Sequence, residues 1–265
     1  QDGKAVYYAG ESYTVAQTFD EGLYAYDAAA RATHELCRPG LQIGAVAQAG
    51  ERVWFTTMNA TFDTDIWSVA LSGGQPALEL AVEEDLGFQN SGDTCRGGGV
   101  SFAGCGELLY FVKSDRHGAH LYRMASGAQP ERISDENVWV NHFAVERGGR
   151  VLCAGLPAFG MMEVFALQNG RSSVLTHLND EIMGKYALVQ PRYLPFNSRD
   201  GVDLDGWVML PPEAEKGKVP VILLIHGGPR GQYQGTLSFD AQVMASGGYA
   251  VIFCTPRGSS SRSCA

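Results

Sequence analysis

No stretch of this 265-residue chain holds 18 consecutive apolar residues, while a helix across the lipid core needs about 20, so no membrane-spanning helix is expected. The N-terminus lacks the basic-then-apolar pattern of a secretory signal. It opens on Gln1 rather than methionine, which hints at an N-terminal cut, and cytoplasmic residence is the expectation. Basic residues are in deficit, 20 Lys and Arg against 29 Asp and Glu for a net charge of −9, which argues against nucleic-acid binding, since that needs a basic face. The six cysteines, Cys37, Cys95, Cys105, Cys153, Cys254 and Cys264, include no C-x-x-C pair. A zinc site is therefore not expected, and a chain this long does not need a disulfide framework; reduced thiols packed as small hydrophobes fit better. His34, His117, His120, His142 and His177 form no pair at ligand spacing on a recognisable helix and read as surface or turn residues. No metal or organic cofactor is implied.

What is present is ordinary globular usage, 45% apolar and 18% charged residues, enough to bury a core. The acidity is uneven: residues 1–190 carry 13 Lys and Arg against 23 Asp and Glu, and residues 191–265 carry 7 against 6. The run Glu83, Glu84, Asp85 reads as a solvated loop.

An internal repeat organises the first segment. Short apolar strands recur at Leu23–Tyr26, Ile66–Val69, Leu121–Met124 and Val164–Leu167, and their aromatic positions 24, 67, 122 and 165 are 43, 55 and 43 residues apart. Each is preceded by a companion strand, Val6–Ala9, Val53–Thr56, Leu109–Val112 and Val151–Ala154, reached through a turn that holds Gly3, Gly50, Gly106 or Gly149. A period in the forties with several short strands per unit is the signature of a β-propeller, one blade per repeat. A β-sandwich would also alternate strands with glycine turns, but it has no fixed period. The longer interval implies an insertion, most simply the Gly-rich stretch 91–106. About four blades are expected in residues 1–190.

Residues 219–234, VPVILLIHGGPRGQYQ, open the chemistry. The apolar run Val219–Ile225 is too short to span a membrane and too continuous for a half-exposed strand, so it is expected to be a parallel strand buried on both faces. It leads directly into His226, Gly227 and Gly228. Glycines there can turn the backbone sharply and bring a main-chain N–H up to a developing alkoxide. Leu237, Ala241 and Met244 mark one face of a helix that Gly247 and Gly248 end, and Tyr249–Cys254 is the next buried strand.

Ser198–Trp207 (S-x-D-G-x-x-x-x-G-W), His226–Pro229 (HGGP), Gly248–Val251 (GYAV) and Pro256–Ser259 (PRGS) follow one another at spacings that resemble the start of the catalytic domain in the prolyl oligopeptidase family, in its acylaminoacyl peptidase and dipeptidyl aminopeptidase branch. The resemblance covers roughly residues 191–260. It implies a partial propeller over 1–190, followed over 191–265 by the first part of an α/β-hydrolase domain. It also implies a serine peptidase acting on short peptides, with Gly228, and secondarily Gly227, as oxyanion-loop amides. An esterase on the same scaffold shares every motif, and a non-catalytic propeller that binds a partner is the alternative outside enzymes. The G-x-S-x-G elbow that would carry the nucleophile is missing from all 265 residues, and in this fold the acid and base follow that elbow. The departure from the family pattern after Ser259 reads as a truncation or shifted frame, so the chain by itself is expected to be a fragment without activity. His226 precedes the position of any nucleophile and is expected to buttress its loop rather than serve as base. Arg257 is expected in an internal salt bridge. An unpaired apolar edge at strand 249–254, together with open propeller ends, is expected to drive self-association.

Overall fold

Val53-Trp54-Phe55 and Leu109-Tyr110-Phe111 are apolar on both faces, and because strand side chains alternate, each such strand must be covered from two sides. The computed structural model, which describes residues 3–11, 20–58, 64–81, 100–114, 118–168, 170–227 and 231–259, satisfies this by stacking sheets side by side. Four successive antiparallel meanders occupy the first part. They are β1 (Ala5–Gly10), β2 (Gly22–Asp27) and β3 (Ala32–Cys37); β4 (Gln42–Ala49), β5 (Arg52–Met58), β6 (Thr64–Ala70) and β7 (Ala77–Leu80); β8 (Phe102–Cys105), β9 (Leu108–Ser114), β10 (Ala119–Met124) and β11 (Glu131–Arg132); and β12 (Val138–Val145), β13 (Val151–Pro157), β14 (Glu163–Gln168) and β15 (Arg171–Val174). Within each sheet, strands pair in chain order.

The two strand sets of the sequence repeat are the hairpins β1–β2, β5–β6, β9–β10 and β13–β14. Gly3, Gly50, Gly106 and Gly149 stand in the turns before them, all with positive φ, at 72°, 55°, 58° and 80°. Three apolar clusters lie between consecutive sheets. Val53 and Phe55 meet Leu23 and Leu36 of the first sheet, whereas Trp54 points the other way to Phe102, Leu109 and Phe111 of the third. Tyr110 and Val112 in turn pack with Val140, Phe143 and Phe165. Neighbouring sheets also hydrogen-bond: the Gly50 amide, in the turn after β4, donates to the Gly106 carbonyl in the turn after β8 at 2.7 Å, and the Phe143 amide of β12 donates to the Val100 carbonyl just before β8 at 3.1 Å. This is propeller-like packing of antiparallel sheets.

Two sequence expectations change here. Phe102–Cys105, within the stretch read as an inserted loop, is the first strand of its sheet; residues 91–99 lie outside the described residues. His120, read as a surface or turn residue, is only 4% exposed, because β10 is covered on both faces. His142 is half-buried on β12, and His34 and His177 are exposed as expected; His117 lies outside the described residues. Cys37, Cys105, Cys153 and Cys254 are free thiols. Burial pushes Cys153 up to about 12 and, with Glu35 adding to the effect, Cys37 up to about 11, as inert packed thiols require.

After β15 comes a short helix, α1 (Asp180–Lys185), with no buried residue. A mixed sheet follows, made of β16 (Arg192–Tyr193), β17 (Phe196–Asn197), β18 (Asp203–Met209), β19 (Val221–Leu224) and β20 (Ala250–Thr255). Its order is β16-β18-β20-β19, with β17 on β18. β18 and β20 are antiparallel, and β19 and β20 are parallel. The crossover between the parallel strands runs through α2 (Phe239–Ser246), whose N-cap Ser238 accepts from the Ala241 amide and whose buried Ala241 and Ala245 face the sheet. Gly247 ends it and Gly248 turns away at φ 88°.

Here the sequence reading is corrected twice more. β20 is paired on both sides, and among the described residues β19 stands at one edge of the sheet. The run 219–225 is not covered on both faces: Val221, Leu223 and Ile225 are 60%, 59% and 80% exposed. Their alternation puts all three on one face, which nothing among the described residues packs against.

Candidate active-site loops

β19 and β20 run parallel and side by side, so the turns that leave their C-terminal ends adjoin, and the crevice outside such ends is where α/β sheets bind ligands. The first turn carries His226 and Gly227. The second is Pro256–Ser259, closed by the Ser259 amide donating to the Pro256 carbonyl at 3.3 Å. Its third residue, Gly258, has φ 81°, the left-handed value that this position of a type II turn requires.

One hydrogen bond joins the turns: His226 Nε2 lies 2.9 Å from Ser259 Oγ. The other ring nitrogen, Nδ1, lies 3.1 Å from the Gly227 carbonyl oxygen. A carbonyl can only accept, so Nδ1 carries a proton, and in the neutral ring Nε2 accepts from the Ser259 hydroxyl. The ring also sits edge-on to Tyr233, centroids 5.4 Å apart. Gly231 closes the loop from beyond, its amide donating to the Gly227 carbonyl at 3.2 Å; a Cβ at Gly231 would stand 2.7 Å from that oxygen and 3.3 Å from His226 Nδ1. Next along the chain, Tyr233 is fixed to β20 through Thr255, whose hydroxyl accepts from its amide at 3.2 Å and donates to its carbonyl at 3.3 Å.

The serine–histidine contact has the donor and acceptor sense of a nucleophile and its base, but Ser259 is 1% exposed and no substrate carbonyl can reach it. His226 therefore holds its loop, through a partner that sequence reasoning did not name. The PRGS motif contained that partner, but motif spacing carries no information about which side chain of a turn faces inward. Gly227 is exposed, and a Cβ built on it would meet nothing within 4 Å among the described residues. Gly228, the favoured oxyanion amide, lies outside the described residues. Arg257 forms an ion pair with Asp200 of the β17–β18 turn. The Ser198 hydroxyl foremost, with Arg257 adding to it, holds the Asp200 carboxyl below its ordinary range.

Among the described residues four other carboxylates are held down, Asp27, Glu35, Glu79 and Glu163, and the last two act as structural clamps. Glu79, on β7, accepts from Ser68 Oγ at 2.5 Å within its own sheet, and from Ser126 Oγ at 2.6 Å and the Gly127 amide at 2.8 Å in the next. Burial works to raise its carboxyl, but these donors and Arg52 outweigh it. Glu163, on β14, takes the Thr176 hydroxyl, the Leu178 amide at 3.1 Å, and the backbone and side-chain N–H of Asn179 at 3.0 and 2.8 Å. Led by the Thr176 hydroxyl and against the effect of burial, they hold it at about 2. Among the described residues, no cluster of His, Cys, Asp and Glu could hold a metal ion, and no helix is long and apolar enough to cross a membrane.

No protein-family model matches the sequence. Over 154 residues, 57% of this chain, it is 29% identical to an uncharacterised peptidase of Bacillus subtilis (strain 168), YuxL, and the match covers 23% of that protein. Among solved structures, an acylaminoacyl peptidase from Pyrococcus horikoshii superposes with a TM-score of 0.79 at 22% identity, over 99% of this chain and 40% of that one. A puromycin hydrolase superposes with a TM-score of 0.68 at 16% identity, over 99% of this chain and 41% of its own. The chain thus spans about 40% of the length of these solved enzymes. At such identities the likeness is one of fold, and it extends the motif resemblance of residues 191–260 to nearly the whole chain.

Proposed function

We propose that this chain, which shares the fold of an acylaminoacyl peptidase over 99% of its length, is part of the propeller and the opening of the hydrolase domain of a serine peptidase that acts on short peptides. On this reading residues 1–190 are four propeller blades. Residues 191–265 are the first strands of the α/β-hydrolase sheet, with β19 and β20 its first parallel pair. The observation that carries the proposal is the contact of His226, in the turn that also carries Gly227, with Ser259 of the PRGS turn at the carboxyl ends of those strands. That contact joins the ends of two separate motifs into one loop assembly.

The chemistry follows from the parts. In the whole protein a serine outside these 265 residues attacks the peptide carbonyl, and its own general base takes the proton. Negative charge develops on the carbonyl oxygen, and the Gly228 N–H, with Gly227 beside it, donates to that oxygen more strongly in the transition state than in the ground state. His226 keeps those amides in place. The propeller stands over the site and restricts access to short chains.

The test is labelling by a fluorophosphonate, which reports an activated serine whatever the substrate. The complete protein should label and should cleave short peptides faster than simple esters; the 265-residue chain alone should do neither. A complete protein that resists the probe would sink the peptidase reading, and one that labels but cleaves only esters would move it to the esterases.

A further inference from the structure

The turn that bears Ser259 is anchored twice, on opposite sides of Gly258. Ser259 points inward to His226. Arg257 points outward and donates through a guanidinium nitrogen to Asp200 Oδ2 in the β17–β18 turn, 57 residues earlier. That earlier turn is itself rigidly built. The Ser198 amide donates to the Val202 carbonyl at 2.9 Å, the Val202 amide to Ser198 Oγ at 3.0 Å, and the Gly201 amide to the Ser198 carbonyl at 3.0 Å, with Gly201 at φ 85°. Ser198 Oγ also donates to the other Asp200 oxygen at 2.5 Å. The aspartate therefore has both oxygens engaged and a fixed orientation.

We propose that the Asp200–Arg257 ion pair positions the turn that carries His226 and Gly227 by fixing the rotation of the Pro256–Ser259 turn. It rests on the peptidase reading and adds two positioning residues to it. Gly258 is the conformationally permissive residue of that turn. With Ser259 alone attached, the turn could pivot about a single hydrogen bond and carry His226, and with it Gly227, out of place. The second anchor removes that freedom. Stability is not what the pair supplies: its side chains are 45% and 51% exposed, and exposed pairs contribute about 0–1 kcal/mol. Position is another matter, because a misplacement of about 1 Å in a catalytic group can cost about 10²-fold in rate.

The experiment uses the complete protein and a fluorophosphonate, recording the labelling rate at saturating probe, the half-saturating concentration and the melting temperature. Arg257→Met and Asp200→Asn should each lower the saturated rate about tenfold, a fraction of the loss from full misplacement of a catalytic group. Half-saturation should hold, and the melting temperature should move by no more than about 2 °C, as for a surface change. The combined variant should lose no more than either single one. Arg257→Lys and the charge-exchanged pair (Asp200→Arg with Arg257→Asp) should recover part of the rate, which a loss due to general destabilisation would not do. Rates equal to the parent in both single variants would overturn the proposal. So would losses that track the melting temperature and are not rescued. Heteronuclear NMR of the His226 ring nitrogens separates this idea from the peptidase reading. In Asp200→Asn the bonded Nε2 resonance should move toward that of a free ring whether or not the protein labels, and an unchanged resonance would refute the positioning role even in an active enzyme.

Discussion

Single residues here act mainly through the hydrogen bonds they accept. Glu163 has four donors around one carboxylate and ties the segment 176–179 to β14. Its carboxyl lies at about 2 in the folded chain against an ordinary 4.5. A pKa depressed by folding means that the ionised form stabilises the fold above pH 4.5, and that this contribution is lost as pH falls through about 2. The melting temperature of the parent should therefore fall across that acid window, whereas Glu163→Gln should start lower at neutral pH and fall less. Parallel melting curves for the two proteins would show that the carboxylate plays no such part. Gly228 calls for a different measurement. Valine there should crowd the turn and displace the N–H, costing the complete enzyme on the order of 10²-fold in turnover with the fold retained; parental turnover would remove Gly228 from the oxyanion site.

At the scale of elements, contact between neighbouring sheets is closest at glycines. A Cβ on Gly104 of β8 would fall on the backbone carbonyl of Gln48 in β4, and one on Gly118, just before β10, on the indole of Trp139 in β12. Backbone cannot swing aside as a side chain can. Gly104→Ala should therefore separate two sheets locally and destabilise the chain by about 1–3 kcal/mol. Gly148→Ala, where a Cβ meets nothing within 4 Å, should stay within about 0.5 kcal/mol of the parent. Urea unfolding of the two variants decides it, and equal midpoints would mean that the sheets yield without cost.

For the molecule as a whole, the consequential surface is β19, a sheet edge with no strand paired on its outer side among the described residues, where Val221, Leu223 and, just after it, Ile225 face solvent. An exposed apolar strand with unpaired backbone groups is a template for association. The 265-residue chain by itself should sediment as oligomers, and Leu223→Lys should shift it toward monomer by placing charge on that strand. A parent chain that sediments as a monomer would show that β19 does not drive association.

Period, strand alternation and turn glycines were enough to read the four meanders from the sequence, because both faces of Val53–Phe55 and Leu109–Phe111 are apolar and demand covering on each side. The order of motifs over 191–260 was enough to place a strand end, a helix and a second strand end in succession. Those are local properties, fixed by bonding distance and side-chain type along the chain. Tertiary structure alone decided that Phe102–Cys105 is a strand, since a stretch so rich in glycine has no propensity of its own and pairs because β9 offers a partner. It decided as well that β20 lies inside the sheet and β19 at its edge, a matter of strand order on which hydrophobicity is silent. Above all it brought Ser259 to His226 and Arg257 to Asp200, pairs separated by 33 and 57 residues. The first pair meets because the parallel strands β19 and β20 end side by side, the second because β18 starts antiparallel beside the end of β20, and no pattern read along the chain encodes either register.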